Sequence, residues 1–214
     1  MLYKTEYRSS LPDSAINFDK TKISLNEPTG RFFYDKWDTK PEYRHTFWHG
    51  ILESLPFDKG EARVIKLDPG TTYMSHTDID DRWHLTLQAE KSYLIDLDDE
   101  KMFPTEADGI WYKMDAGKRH VASNFGSIPR LQLVVRKLLK ESQEKNLVNV
   151  KISPKQESYD YRYKFDNIIS PWLNKTNKKG LIKDFDYSGH QVTFKTTKEA
   201  LETLPKAELF RIDI

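Results

Sequence analysis

Three side chains suited to holding a metal ion lie in the middle third of the chain. His76 and Asp78 flank Thr77, and His120 follows about forty residues later. Two imidazoles and one carboxylate on a single face of an octahedron leave the opposite face open, which is how non-haem iron(II) receives a co-substrate and O2. The sequence holds no cysteine, so disulfides, thiolate sites and cysteine nucleophiles are excluded, and a metal has only His and carboxylates to use. A His-x-Asp spacing alone carries little weight, and Asp80 and Asp81 stand close enough to Asp78 to be rival carboxylates. The weight comes from the combination. One turn supplies a His and an Asp, and a strand across a barrel supplies the second His, with room for two or three strands between them.

Ten residues past His120 comes Arg130, opening a run in which Arg130, Gln132 and Val134 alternate with Leu131, Leu133 and Val135. Alternate residues of a strand point to opposite faces. The wholly apolar face is expected to pack outward on a neighbouring layer, which turns Arg130 into the barrel. A buried guanidinium needs an anion, and its planar fork receives a carboxylate in bidentate fashion. 2-Oxoglutarate has such a carboxylate at the end remote from its metal-chelating keto acid, so Arg130 is the expected co-substrate anchor. Arg82, His84 and Thr86 alternate with Leu85 and Leu87 in the same way. Arg82 and His84 are therefore expected to face inward near the metal, toward the proximal carboxylate of 2-oxoglutarate or an anionic group of the substrate.

These residues need a scaffold of strands. Between Ala62 and Arg136, short runs rich in β-branched, aromatic and Leu residues are separated by turn signals at Asp68-Pro69-Gly70, Asp98-Asp99, Ala107-Asp108-Gly109, Ala116-Gly117 and Gly126. They predict strands over 62–67, 72–75, 84–87, 93–97, 109–114, 120–124 and 130–136. The fold class expected is mainly β, a double-stranded β-helix of the cupin-like jelly-roll kind with flanking helices. Phe47, Trp48, Ile51, Leu52 and Leu55 have the spacing of a short amphipathic helix that ends before Pro56.

Residues 1–40, polar and broken by Pro12, Pro28 and Gly30, read as an N-terminal arm with a strand or two; 41–140 hold the oxygenase core. The charged stretch 140–149 reads as a helix end passing into a linker, and 151–214 as a small C-terminal α+β lobe. That lobe carries an apolar patch around Ile168, Ile169, Pro171, Trp172 and Leu173, a hairpin near Ser188-Gly189, a helix over 197–204 and a strand over 209–214. The 34 basic side chains nearly cancel the 33 acidic ones, so no large single-sign field exists and nucleic acid is not an expected partner. No stretch approaches the roughly 20 apolar residues of a membrane span, and Met1 to Glu6 are not followed by an apolar signal region. A soluble, cytoplasmic protein without a membrane partner is expected.

From Leu67-Asp68-Pro69-Gly70 through His76, Arg82-Trp83-His84, Gly117, His120, Asn124 and Arg130, the chain resembles the aspartyl/asparaginyl β-hydroxylase family, which includes bacterial proline hydroxylases; the likeness covers about seventy residues. The resemblance implies Fe(II), 2-oxoglutarate and O2, with His76 and His120 as iron ligands and Arg130 as anchor. The implied reaction hydroxylates an amino acid or an Asp, Asn or Pro side chain while 2-oxoglutarate becomes succinate and CO2. The animal peptide hydroxylases of that family lack the carboxylate ligand, whereas the proline hydroxylase branch has His-x-Asp, so with Asp78 this chain looks more like the free amino-acid enzymes. The substrate is a small molecule or a peptide.

Asn124, Tyr73 and Trp83 are candidate substrate contacts; the competing roles are turn closure for Asn124 and core packing for the two aromatics. Lys118 and Arg119 either gather an anionic substrate or form a solvated loop, and His45, His49 and His190 read as structural or surface residues. Two rival functions use the same barrel. One is a cupin-like Zn(II) or Mn(II) isomerase or hydrolase built on the same triad, which leaves Arg130 without a role. The other is a binding module that has lost catalysis, which leaves an intact ligand set unexplained.

Overall fold

The computed structural model describes residues 1–11, 20–156, 159–188, 191–206 and 208–214. Pro12, Gly189 and His190 lie outside the described residues. Two antiparallel sheets build the barrel. The larger runs in the order β1 (Leu2–Arg8), β10 (Ile110–Met114), β7 (Arg82–Gln88), β12 (Arg130–Lys137), β5 (Lys59–Leu67) and β2 (Lys22–Ser24). The smaller runs β6 (Thr71–Thr72), β11 (His120–Asn124), β8 (Ser92–Asp96) and β9 (Lys101–Pro104). From β5 to β12, chain-consecutive strands alternate between the sheets except for the β8–β9 hairpin, the connectivity of a jelly roll. The N-terminal residues supply both edge strands of the larger sheet, β1 on β10 and β2 on β5.

The faces divide as the alternation of β12 predicts. Leu131, Leu133 and Val135 pack with Leu85, Leu87, Val64 and Trp111 on the outer face, under Ile51 and Leu52 of α1 (Phe47–Glu53). Thr46 caps that helix by accepting a hydrogen bond from the Trp48 amide, which satisfies one of the donors a helix start leaves free. On the inner side, Leu67 and Met114 of the larger sheet meet Leu94 and Ala122 of the smaller one. Leu94, Met114 and Ala122 also border the cavity lined by the polar inner residues His84, Arg130 and Gln132.

A third antiparallel sheet, in the order β14 (Lys183–Ser188), β15 (Gln191–Thr196), β13 (Val148–Pro154), β16 (Phe210–Asp213), carries the C-terminal residues, and β3 (Asn26–Pro28) with β4 (Trp37–Thr39) forms a two-stranded ribbon. The helices here are α2 (Tyr159–Lys164), a π-helical turn over Phe165–Ile169, α3 (Ser170–Lys178) and α4 (Lys198–Glu202). Phe165, Ile169, Trp172 and Leu173 bury themselves against Val150, Ile152, Val192 and Phe194 of the sheet, and Ile79 from the barrel joins the same cluster.

Sequence and structure differ at several places. No helix occupies 140–149: the chain there is irregular until β13 begins at Val148, with Ser142 N donating to Ile182 O, as Leu139 N just before it donates to Phe33 O. The strand expected over 72–75 is only Thr71–Thr72, because the backbone leaves the ladder to form the loop that carries His76. Strand β9 was not expected; its short sequence Lys-Met-Phe-Pro has three of four residues exposed or edge-like and shows no burial alternation. Among the described residues no helix is long and apolar enough to cross a membrane.

Leu133 is fully buried between the larger sheet and α1. Leu133→Ala is expected to lower stability by about 2–5 kcal/mol through lost contacts and a residual cavity, measured by urea unfolding, without moving any inner-face residue.

Candidate metal centre

The geometry of the centre begins with a backbone pairing. His76 and His120 face each other across an isolated antiparallel bridge, with His76 N donating to His120 O at 3.1 Å and His120 N to His76 O at 3.0 Å. Directly opposed residues of such a pair project their side chains to the same side, and the two rings lie with centroids 4.4 Å apart. Each ring is held by its own chain: His76 Nδ1 lies 2.9 Å from Met74 O, and His120 Nδ1 lies 2.8 Å from Lys118 O. A carbonyl accepts only from a protonated nitrogen, so in its neutral form each ring carries its proton on Nδ1 and presents Nε2 as a lone pair.

Asp78 completes the group, its Oδ2 at 3.9 Å from His76 Nε2. One ligand atom from each of His76, Asp78 and His120 lies within 4.8 Å of the others, a cluster that could hold a metal ion. Arg82 donates from Nη2 to Asp78 Oδ1 at 2.7 Å, which leaves Oδ2 as the free oxygen. Burial alone would raise the Asp78 carboxyl, but Arg82 above all, with His76 and His120, outweighs it and holds the carboxyl well below the usual range. Burial, with His76 next in effect, pushes His120 down to about 4, so that ring is neutral and able to ligate near pH 7.

Arg82 is in turn fixed by Asp80, whose Oδ1 accepts from Arg82 Nε at 3.1 Å and whose Oδ2 accepts from Arg136 Nε at 2.6 Å. Asp80 is almost fully buried, and its two oxygens are taken by guanidinium groups. In this arrangement the Arg82 guanidinium is engaged on two sides, by the Asp78 and Asp80 carboxylates. Asp80 lies between two arginines, and the cluster that could hold a metal contains Asp78 and not Asp80.

The ligand loop is gripped from the C-terminal side as well. Thr77 Oγ1 donates to the Asp166 carbonyl, Ser170 Oγ donates to Thr77 O at 3.3 Å, and Asn174 Nδ2 donates to Asp78 O at 3.1 Å. Asn174 comes so close that a Cβ on Gly117 would lie 2.3 Å from its Oδ1, which explains why a residue without a side chain stands there. No local motif in the sequence marks Thr77, Asp166, Ser170 or Asn174, because their roles arise from contacts across about ninety residues of chain.

A cavity of about 430 Å³ opens beside the cluster, bordered by Tyr73, His84, Arg130 and Gln132 as well as the three candidate ligands. Arg130 is 4% exposed, and burial brings its guanidinium down to about 10. Its Nη2 donates to Gln132 Oε1, while Nη1 is buried with no hydrogen-bond partner. Both ring nitrogens of buried His84 also lack a hydrogen bond of acceptable geometry, although Gln132 lies alongside. Burial, and then Arg130, pushes His84 down to about 3.

The remaining expected contacts separate. Tyr73 borders the cavity and is 39% exposed. Asn124 does not reach it: Nδ2 donates to Leu67 O and Ile128 O, and Oδ1 accepts from Gly126 N, so the side chain closes the turn before β12. Trp83 points to the outer face, against Tyr7 and Phe57, because its position has the parity of Leu85 and Leu87. Lys118 and Arg119 pair with Asp99 and Asp98 at the surface. His49 shares a hydrogen bond with Thr39 at 3.1 Å, far from the cluster.

No family model matches the sequence, and no curated protein matches it. Among solved structures the chain is similar to CapF, seen in a crystal structure with the inhibitor 3-isopropenyl-tropolone, at 15% identity and a TM-score of 0.32. The match covers 40% of this chain and 27% of that one. A likeness of that extent says nothing of chemistry, and the jelly-roll assignment stands on the strand order.

Two outcomes are expected. Arg82→Gln should weaken divalent metal binding by about 10–100-fold, the usual effect of losing a group that orients a ligand, measured by calorimetric titration with Co(II). His84 is neutral when folded but protonates in the unfolded chain below about pH 6.5, so its contribution favours unfolding as pH falls from 6.5 toward 3. The stability of His84→Asn, followed by urea unfolding between pH 7 and 5, should therefore fall less steeply than that of the parent, by up to about 1.4 kcal/mol per pH unit.

Proposed function

We propose that the chain is a cytoplasmic Fe(II)- and 2-oxoglutarate-dependent oxygenase that hydroxylates an amino acid or an amino-acid side chain, akin to the aspartyl/asparaginyl β-hydroxylases and, through Asp78, to their proline hydroxylase branch. The observation that carries this reading is Arg130, a buried guanidinium with a free Nη1 and no carboxylate partner among the described residues, in the same cavity as His76, Asp78 and His120. An uncompensated buried cation is strongly unfavourable unless an anion joins it. A dicarboxylate that chelates the metal at one end and meets Arg130 at the other supplies that anion. A zinc or manganese hydrolase on the same triad leaves Arg130 without a partner.

Fe(II) with 2-oxoglutarate and O2 supplies the oxidising chemistry, in which decarboxylation to succinate and CO2 accompanies insertion of oxygen into an unactivated C–H bond. The protein's residues provide position and dryness. Gln132, itself donating to Thr86 Oγ1 at 3.4 Å, fixes the Arg130 fork so that Nη1 points free. His84, neutral and unpartnered, offers a hydrogen bond to the co-substrate from whichever ring nitrogen bears the proton. Arg82 occupies Oδ1 of Asp78, so the carboxylate would offer a bound metal only its other oxygen.

The test is anaerobic titration of the protein with Fe(II) and 2-oxoglutarate, followed by a visible charge-transfer band, and then succinate release on admitting O2. The band should form with the parent protein and vanish in His76→Ala. Arg130→Gln should keep metal affinity while weakening 2-oxoglutarate binding by about 30-fold or more. Metal binding without any 2-oxoglutarate affinity would overturn the assignment.

A further inference from the structure

The helical run made of the π-helical turn and α3 meets the ligand-bearing segments at a regular interval. The Asp166 carbonyl accepts from Thr77 Oγ1, Ser170 Oγ donates to Thr77 O, and Asn174 Nδ2 donates to Asp78 O. One step further, Lys178 Nζ lies 3.2 Å from Asp81 Oδ1 and 2.5 Å from Asp115 Oδ1. Positions 166, 170, 174 and 178 are four residues apart, the spacing that places residues on one face of a helix. Ile169 and Leu173, both fully buried, belong to the core of the C-terminal sheet. The place of the polar edge is therefore set by the lobe and not by the barrel.

Two of the four residues touch both the loop that carries His76 and Asp78 and the turn that precedes His120. Lys178 does so at the surface, with a side chain 39% exposed, a pairing that water weakens. Asn174 does so from a site that is 3% exposed. Its amide holds the Asp78 carbonyl, and its Oδ1 and Cγ fill the space that a Cβ on Gly117 would need. The Gly117 backbone is not in the left-handed region, so the neighbouring amide and not the local conformation calls for glycine there.

Gly117 is the middle one of three residues that bear on the cluster. Before it, the Ala116 carbonyl accepts from Asp78 N at 2.8 Å; after it, the Lys118 carbonyl holds His120 Nδ1 at 2.8 Å. A shift of this turn relative to Asp78 thus changes where the His120 ring stands against the Asp78 carboxylate.

Resting on the reading of His76, Asp78 and His120 as a metal centre, and not on the choice of co-substrate, we infer that Asn174 is a positioning residue for that centre. It is tether and spacer together: its amide ties down the Asp78 backbone, and its bulk keeps the Gly117 turn at a fixed distance from it. The separation of the Asp78 and His120 ligand atoms, and with it the affinity for a divalent cation, is set by one side chain of the C-terminal lobe.

The experiment is a double-variant cycle on the full chain, read by calorimetric titration with Co(II) and, in metal-free protein, by hydrogen exchange of the Asp78 amide that bonds to Ala116 O. Asn174→Ala, Asn174→Asp, which keeps the bulk but loses the donor, and Gly117→Ala should each weaken Co(II) binding by about 10-fold or more. Each should also speed exchange of the Asp78 amide by about 10-fold. In the double variant the new methyl enters the space that Asn174 leaves, so its affinity should stay within about twofold of the weaker single variant. Leu133→Ala is the control for a merely structural effect, since it lowers stability from the outer face and should leave Co(II) affinity unchanged, as should Lys178→Gln. Asn174→Ala that binds Co(II) like the parent, or effects of the two sites that simply add, would overturn the inference. Parent protein that takes up no Co(II) sinks the metal reading; the exchange arm then decides this one alone, faster exchange upholding the apposition by Asn174 and unchanged exchange removing it.

Discussion

A carboxylate and a guanidinium can both stay charged inside a barrel only if each finds the other, and the 2.7 Å contact between Arg82 and Asp78 is where this chain meets that constraint. Everything around the centre follows from it. Arg82 needs a second acceptor and has Asp80; Asp80 needs a second donor and has Arg136. Arg136 in turn lies over the rings of Phe32 and Phe33, at 4.9 and 4.8 Å, so the relay ends on an aromatic surface. The charges are desolvated in sequence, each compensated by the next, and the last free oxygen faces the two imidazoles.

The contrast with Arg130 is chemical. Both arginines are buried on the inner face of the larger sheet, yet one has carboxylates on two sides and the other has only the neutral Gln132. The first guanidinium is satisfied within the protein; the second keeps a buried Nη1 without a partner. Position on the strand cannot tell the two apart, because both follow from the same alternation.

That is also the measure of what the sequence disclosed. The strands of the barrel were legible because one face is wet or polar and the other apolar: Leu131, Leu133 and Val135 turn outward and bring Arg130 and Gln132 in. The span 120–124 was readable to the residue, since β11 is bounded by Gly117 and Gly126. The same alternation puts Trp83 on the outer face, so its adjacency to His84 misleads where its parity does not. Partnership was not legible. Nothing near Asp80 says that two arginines will meet it, and nothing near Asp166 says that it will lie beside Thr77. Those are contacts of tertiary structure, as is the irregular course of 140–147, where the Ser142 amide bonds to Ile182 O instead of continuing a helix.

The hold of α3 on the ligand loop has a consequence for how the centre comes into being. His76, Asp78 and His120 are all made long before Asn174, yet the carbonyl of Asp78 is fixed by the Asn174 amide and that of Thr77 by Ser170. On the ribosome, the strands of the barrel are therefore complete while the loop between its ligands is still loose. By the order of synthesis, any metal held by this cluster would be captured late, by a chain whose last third has already folded against the first two.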